Sequence, residues 1–69
     1  MNKIEIETEY IKLDQFLKLA SIVQTGGQAK ILINQGIVLV NGKLVYERGK
    51  KLRKDDIIEI EGYESFTII

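Results

Sequence analysis

Arg48, Lys50, Lys51, Arg53 and Lys54 put five basic side chains within seven residues, the densest stretch of potential chemistry in the chain. Ammonium groups and guanidinium forks of this kind bind phosphate. So tight a cluster favours an anionic partner over a merely solubilising loop. A second anion-binding feature is Thr25-Gly26-Gly27-Gln28. At a helix start the two glycines let a phosphate approach the backbone N–H groups; the competing reading is a tight interhelical turn. Lys12, Lys18 and Lys30 add single cations that, taken alone, are ordinary solvated residues. Tyr10 and Tyr46 read as packing residues rather than base-stacking platforms.

Other chemistries are set aside by composition. The 69 residues include no cysteine and no histidine. Disulfide staples, thiolate metal sites and the usual neutral-pH general base are therefore excluded. No catalytic residue, metal site or cofactor is expected, and the chain does not read as an enzyme. Asp55, Asp56, Glu59 and Glu61 invite a hard-metal reading. Adjacent aspartates leading into an alternating strand point their carboxylates apart, so a solvated sheet edge is expected instead.

The formal net charge is zero and the pI is near 6.2, but the balance conceals two blocks. Residues 43–54 hold six bases against Glu47, whereas residues 55–69 hold five acids and no base. A nucleic-acid footprint depends on such clustering more than on the total. The chain is 45% hydrophobic, as a folded protein requires, and its length suits a single domain over 1–69 near the lower size limit for a self-sufficient core. No apolar run approaches the roughly 20 residues of a membrane span. The first residues do not resemble a signal peptide, so a cytoplasmic protein without a membrane partner is expected.

The elements that must position these groups follow from period and turn chemistry. Ile4, Ile6 and Thr8 alternate with charged residues, predicting an edge strand with one buried face. Leu13, Phe16, Leu17, Ala20 and Val23 form an apolar stripe, predicting an amphipathic helix over 12–23. A second helix begins at Thr25, which caps it. Gln28 is placed to reach back to the Thr25 N–H as a capping box. Ala29, Leu32 and Ile33 supply the apolar face, and Gly36 ends the helix in a left-handed residue. So short a joint makes a helix-turn-helix-like pair.

Asn41-Gly42 between apolar runs predicts a two-residue hairpin turn. Val40 then faces Lys43, Leu39 faces Leu44, Val38 faces Val45 and Ile37 faces Tyr46. Val38, Val40 and Val45 share one face; Ile37, Leu39, Leu44 and Tyr46 share the other. Two apolar faces need two covers. Phe66, Ile68 and Ile69 folding back as a lid is the favoured cover for the second face, and a protein partner is the alternative. Residues 48–56 read as an irregular crossing anchored by Leu52. Ile58 and Ile60 form a further core strand broken by Gly62, and Phe66 to Ile69 add a short one.

Leu13-Asp14-x-x-Leu17, Thr25, Ala29-Lys30, Gln35-Gly36-x-Val38-x-Val40-Asn41-Gly42 and Asp56-x-Ile58-x-Ile60 together resemble the ribosomal-protein-S-four-type RNA-binding domain, or alpha-L motif. The similarity covers about residues 10–61. The TGGQAK and LRKDD segments are similar to those of its small bacterial branch, the YaaA or RlbA type. The resemblance implies an α+β fold in which two short helices pack on a small mixed sheet. It also implies binding of structured RNA, notably rRNA, through the helix pair and the basic loop, with a role in ribosome maturation or translation. The residues it implicates are Lys12, Lys18, Thr25, Gly26, Gly27, Gln28, Lys30, Arg48, Lys50, Lys51, Arg53 and Lys54. The family often carries serine-arginine at the second helix start and arginine after the alanine. Here Gly26-Gly27 and Lys30 stand there, which trades a bidentate fork for a point charge. Ile37 and Leu39 replace polar residues on the outer strand face. The alternative function is therefore contact with a ribosomal protein, or self-association, through Ile37, Leu39, Leu44 and Tyr46.

Overall fold

The computed structural model describes residues 1–69. Seven short strands and two helices follow in the order β1 (Asn2–Ile4), β2 (Ile11–Lys12), α1 (Leu13–Leu19), α2 (Gly26–Asn34), β3 (Val38–Val40), β4 (Lys43–Leu44), β5 (Lys51–Leu52), β6 (Ile57–Ile60) and β7 (Phe66–Ile68). Five strands form a mixed sheet in the order β1-β7-β6-β3-β4, with β1 and β7 parallel and the other pairs antiparallel. The remaining two, β2 and β5, pair as a separate antiparallel ribbon. This is the expected α+β arrangement of a helix pair on a small mixed sheet.

One face of the sheet carries the core. Val38 pairs with Ile60, Val40 with Ile58, Ile58 with Phe66, and Ile4 lies beside Ile68. Val38, Ile58 and Ile68 are fully buried there with Leu13, Phe16, Leu17, Ala29 and Ile33 from the helices. The Phe16 and Phe66 rings meet edge to face, with centroids 5.5 Å apart. Such a pair is worth about 0.5–1.5 kcal/mol beyond its buried area.

The capped second helix forms as expected, with one change. The Gln28 N–H donates to the Thr25 hydroxyl at 3.1 Å. The return bond goes to the Gln24 N–H rather than that of Thr25, with Gln28 Oε1 accepting at 2.7 Å. Gly36 ends the helix at φ +73°, and a Cβ there would come within 3.0 Å of the Tyr46 hydroxyl. The left-handed backbone is what favours glycine at this position, since the exposed Tyr46 ring can give way. The hairpin turn is of type I′, with Asn41 at φ +52° and Gly42 at φ +81°. Its register matches Leu39 with Leu44 and Val40 with Lys43.

Four expectations are corrected. The first helix ends at Leu19, before Val23, because Ser21 turns left-handed (φ +61°). The Ser21 N–H donates to the Lys18 carbonyl and the Ile22 N–H to that of Leu17, both at 3.0 Å, a Schellman closure made without glycine. Val23 is still buried, but as part of the joint. The first strand ends at Ile4. Ile6 remains buried and its N–H donates to the Ile69 carbonyl, whereas Thr8 is exposed. The C-terminal tail is not a lid over the hairpin: β7 lies within the sheet between β1 and β6, and Phe66 and Ile68 point into the core. The outer hairpin face is open, with Leu44 47% and Tyr46 55% exposed. Finally, the basic segment contains a strand, β5, with its Leu52 anchor fully buried. No helix is long and apolar enough to cross a membrane.

Candidate nucleic-acid interface

The β3–β4 hairpin and the segment around β5 wall an open groove of about 660 Å³. Lys43, Lys50, Lys51 and Arg53 line it together with Tyr46, and Glu47 and Asp56 are the acids present. Its walls are joined by the Asn41 and Asp56 side chains. Asp56 Oδ1 accepts from the Asn41 side-chain amide at 3.0 Å, and its Oδ2 accepts from the Arg53 N–H at 2.8 Å. Asn41 Oδ1 in turn accepts from the Ile57 N–H at 2.9 Å. The hairpin turn is thereby tied to the turn that presents Arg53. Asp55, Glu59 and Glu61 lie exposed, but the expected sheet edge is corrected: β6 runs between β7 and β3, so Glu59 stands on the outer face of an interior strand. Asp56 departs from the expected exposure: it is half-buried, and its carboxylate serves as a structural acceptor.

The basic segment is held against the first helix by backbone hydrogen bonds. The Leu13 N–H donates to the Lys50 carbonyl at 2.8 Å, and the Asp14 N–H to that of Arg48 at 3.0 Å. The loop carbonyls therefore satisfy donors that a helix start leaves orphaned. The Arg48, Lys50 and Lys51 side chains remain exposed. In the ribbon, Ile11 pairs with Leu52 and Lys12 with Lys51, so two like charges stand directly opposite each other. Such a pair is unfavourable unless something neutralises it. The Tyr10 ring lies 4.9 Å from Lys51 Nζ and 5.7 Å from Arg53 Cζ.

The second helix start offers donors of another kind. The Thr25 cap engages the Gln28 N–H, leaving those of Gly26 and Gly27 in the first turn. Neither glycine has a left-handed φ. A Cβ on Gly26 would meet nothing within 4 Å, and one on Gly27 only the Thr25 hydroxyl oxygen at 3.8 Å. The tight-turn reading of this pair is thereby overturned, since neither the backbone nor the packing calls for glycine. Lys18 lies half-buried in the last turn of α1, and Lys30 is exposed on α2.

Of the residues expected at a binding surface, the fold brings Lys12, Lys50, Lys51 and Arg53 together, with Arg48 beside them. Thr25 to Gln28 lie past the other end of α1, whose seven residues span about 10 Å at 1.5 Å per residue. Lys54 is exposed but does not line the groove. Two residues were missed. Lys43 faces the groove because the hairpin register places it there, a signal already present in Asn41-Gly42. Tyr10, a packing residue by sequence, is only half-buried and has cations on its ring; nothing in its sequence neighbourhood marks it.

Comparison with known proteins agrees with this geometry. A profile of the S4 domain family matches residues 4–69. The chain is 48% identical over 68 residues to the Bacillus subtilis (strain 168) protein named "Probable ribosome maturation protein RlbA", covering 99% of this chain and 96% of the relative. Among solved structures, the 30S ribosomal protein S4e from Thermoplasma acidophilum matches with a TM-score of 0.64 at 28% identity, over 88% of this chain. That match covers 32% of S4e, so the chain corresponds to about a third of that protein. The family resemblance carried by the sequence motifs is borne out.

Proposed function

This chain belongs to the S4 domain family, and we propose that it binds structured RNA, ribosomal RNA in particular, in the course of ribosome maturation. The observation that carries the reading is the groove in which Lys43, Lys50, Lys51 and Arg53 converge. Their convergence is supported by the like-charged Lys12–Lys51 pair, an arrangement that an RNA backbone relieves. The Gly26 and Gly27 N–H groups, with Lys18 and Lys30, form the second part of the surface. Residues 1–69 act here as one binding unit, and the reading is of binding rather than catalysis. The names of the relatives, a ribosome maturation protein and a 30S ribosomal protein, point to the same cytoplasmic machinery.

Filter-binding titration against purified structured rRNA at several salt concentrations tests the proposal. The logarithm of the binding constant should fall linearly with that of salt concentration, by about 0.7–0.9 per phosphate contact. Neutralising Lys43, Lys50, Lys51 and Arg53 together should weaken binding and flatten that slope. A folded quadruple variant with unchanged affinity and slope would remove the groove from the reading.

A second reading has its own observation, the open outer face of the hairpin. Leu44 and Tyr46 are exposed there beside half-buried Ile37 and Leu39, as at a contact with a ribosomal protein or a second copy of the chain. The two surfaces meet at Leu44 and Tyr46, which also line the groove, and the two readings are compatible in an assembly factor.

A further inference from the structure

Resting on the RNA-binding reading above, we infer that the outward face of the β2–β5 ribbon is a phosphodiester subsite in which Tyr10 positions Lys51 and Arg53. The ribbon sorts its side chains by the two-residue period of a strand. Ile11 and Leu52 turn inward, Leu52 to complete burial. Lys12 and Lys51 face out as direct partners, and continuing the register sets Tyr10 across from Arg53. Three cations and one aromatic ring therefore share a face. The Thr8 hydroxyl donates to the Tyr10 carbonyl at 2.8 Å, fixing the backbone that delivers the ring to the ribbon.

The cations gather where simple repulsion would disperse them. Lys51 Nζ sits 4.9 Å from the Tyr10 centroid and Arg53 Cζ 5.7 Å from it, both within the range of a cation–π attraction. An aromatic ring attracts cations through its quadrupole without neutralising them. A carboxylate in the same place would hold the two bases but cancel their charge toward a ligand. Tyrosine holds them and leaves the positive field intact. Lys51 and Arg53 also line the groove, so the ribbon face and the groove form one continuous basic track. Lys12 extends that track to the start of α1. An RNA backbone seated in the groove thus has a next phosphate position over the ribbon.

The test compares wild type, Tyr10→Leu and Tyr10→Phe in anisotropy titrations with a labelled structured rRNA fragment over a salt series. Tyr63→Leu is an exposed aromatic control outside the surface. Tyr10→Leu is expected to bind several-fold more weakly, since each lost cation–π contact at an exposed site corresponds to about a two- to fivefold factor. Its log–log salt slope should fall by up to about one phosphate contact, or 0.7–0.9. Tyr10→Phe keeps the ring and should restore both quantities. In a Lys51→Gln/Arg53→Gln background, Tyr10→Leu should have no further effect; an equal further loss there would overturn the positioning role. Wild-type affinity and slope in folded Tyr10→Leu, alongside lost binding in the groove quadruple variant, would overturn the subsite and leave the RNA-binding reading standing. Undiminished binding by the quadruple variant would overturn both. If Tyr10→Leu does not fold, Tyr10→Met replaces it, retaining bulk without a ring face.

Discussion

At Gly26 and Gly27 alanine fits the space and the backbone, so stability and binding should respond in opposite directions. Each substitution to alanine removes freedom from the unfolded chain and should stabilise the fold by about 0.4–1 kcal/mol, read as a higher melting temperature. The same methyl groups stand where a phosphate would approach the first-turn N–H groups, so affinity for structured rRNA should fall. Alanine variants that are stabler and bind as wild type would confine the RNA contact to the groove. Asn41 poses the converse case. Asn41→Gly preserves the left-handed turn but deletes the amide bonds to Asp56 and the Ile57 N–H. Both bonds are exposed, so water replaces the lost partner and each should cost about 0.5–1.5 kcal/mol at most in urea unfolding. RNA affinity should weaken too, because the Arg53 turn loses its tie to the hairpin.

Among the elements, the ribbon is the smallest, and the proposed RNA surface depends on it most. With two residues in each strand, its pairing cannot stand alone and depends on Leu52 entering the core. Leu52→Ala should destabilise the protein by about 2–5 kcal/mol, as for other fully buried leucines, measured by denaturant titration. At protein concentrations and temperatures where the variant is still folded, its salt slope should be reduced as well, since Lys51 and Arg53 flank the loosened residue. Ile57→Ala, on the outer face of β6 and 38% exposed, should be far milder and leave the slope unchanged. The helices are held differently: α1 receives the loop carbonyls at its start and closes at Ser21, so it orients the basic segment without contributing to the groove.

For the molecule as a whole, the position of the last strand decides which surface is free. Removing residues 65–69 takes β7 from between β1 and β6, along with Phe66 and Ile68 from the core. The truncated chain should lack a cooperative thermal transition by circular dichroism. Leu39→Lys probes the opposite face. Its new ammonium group would stand across from Glu59, an opposite-charge pair worth about 0.2–1 kcal/mol, so the variant should remain folded. If the hairpin face is a protein contact, this variant should lose self-association in sedimentation velocity, or capture of its ribosomal protein, while keeping RNA affinity. Retention of both would reject that second surface.

The local devices were legible in the residues alone: the Thr25 cap, the left-handed Gly36, the Asn41-Gly42 register and the alternation of Ile58 and Ile60. Each depends on side chains within a few positions of one another, where sterics and strand period leave few alternatives. The basic run was equally plain, because clustered charge is a property of order along the chain. The tertiary structure decided everything that depended on distant partners. A single apolar residue between Lys51 and Arg53 is too short a pattern to mark a strand, and only contact with Ile11–Lys12 makes the segment a ribbon. The tail alternates as a strand must, yet whether it caps the hairpin or joins the sheet depended on the free edges of β6 and β1. The proposed binding surface has the same origin: Tyr10 and Lys12 are remote in sequence from Lys43 and Arg53, and backbone pairing and turn bonds bring the two segments together.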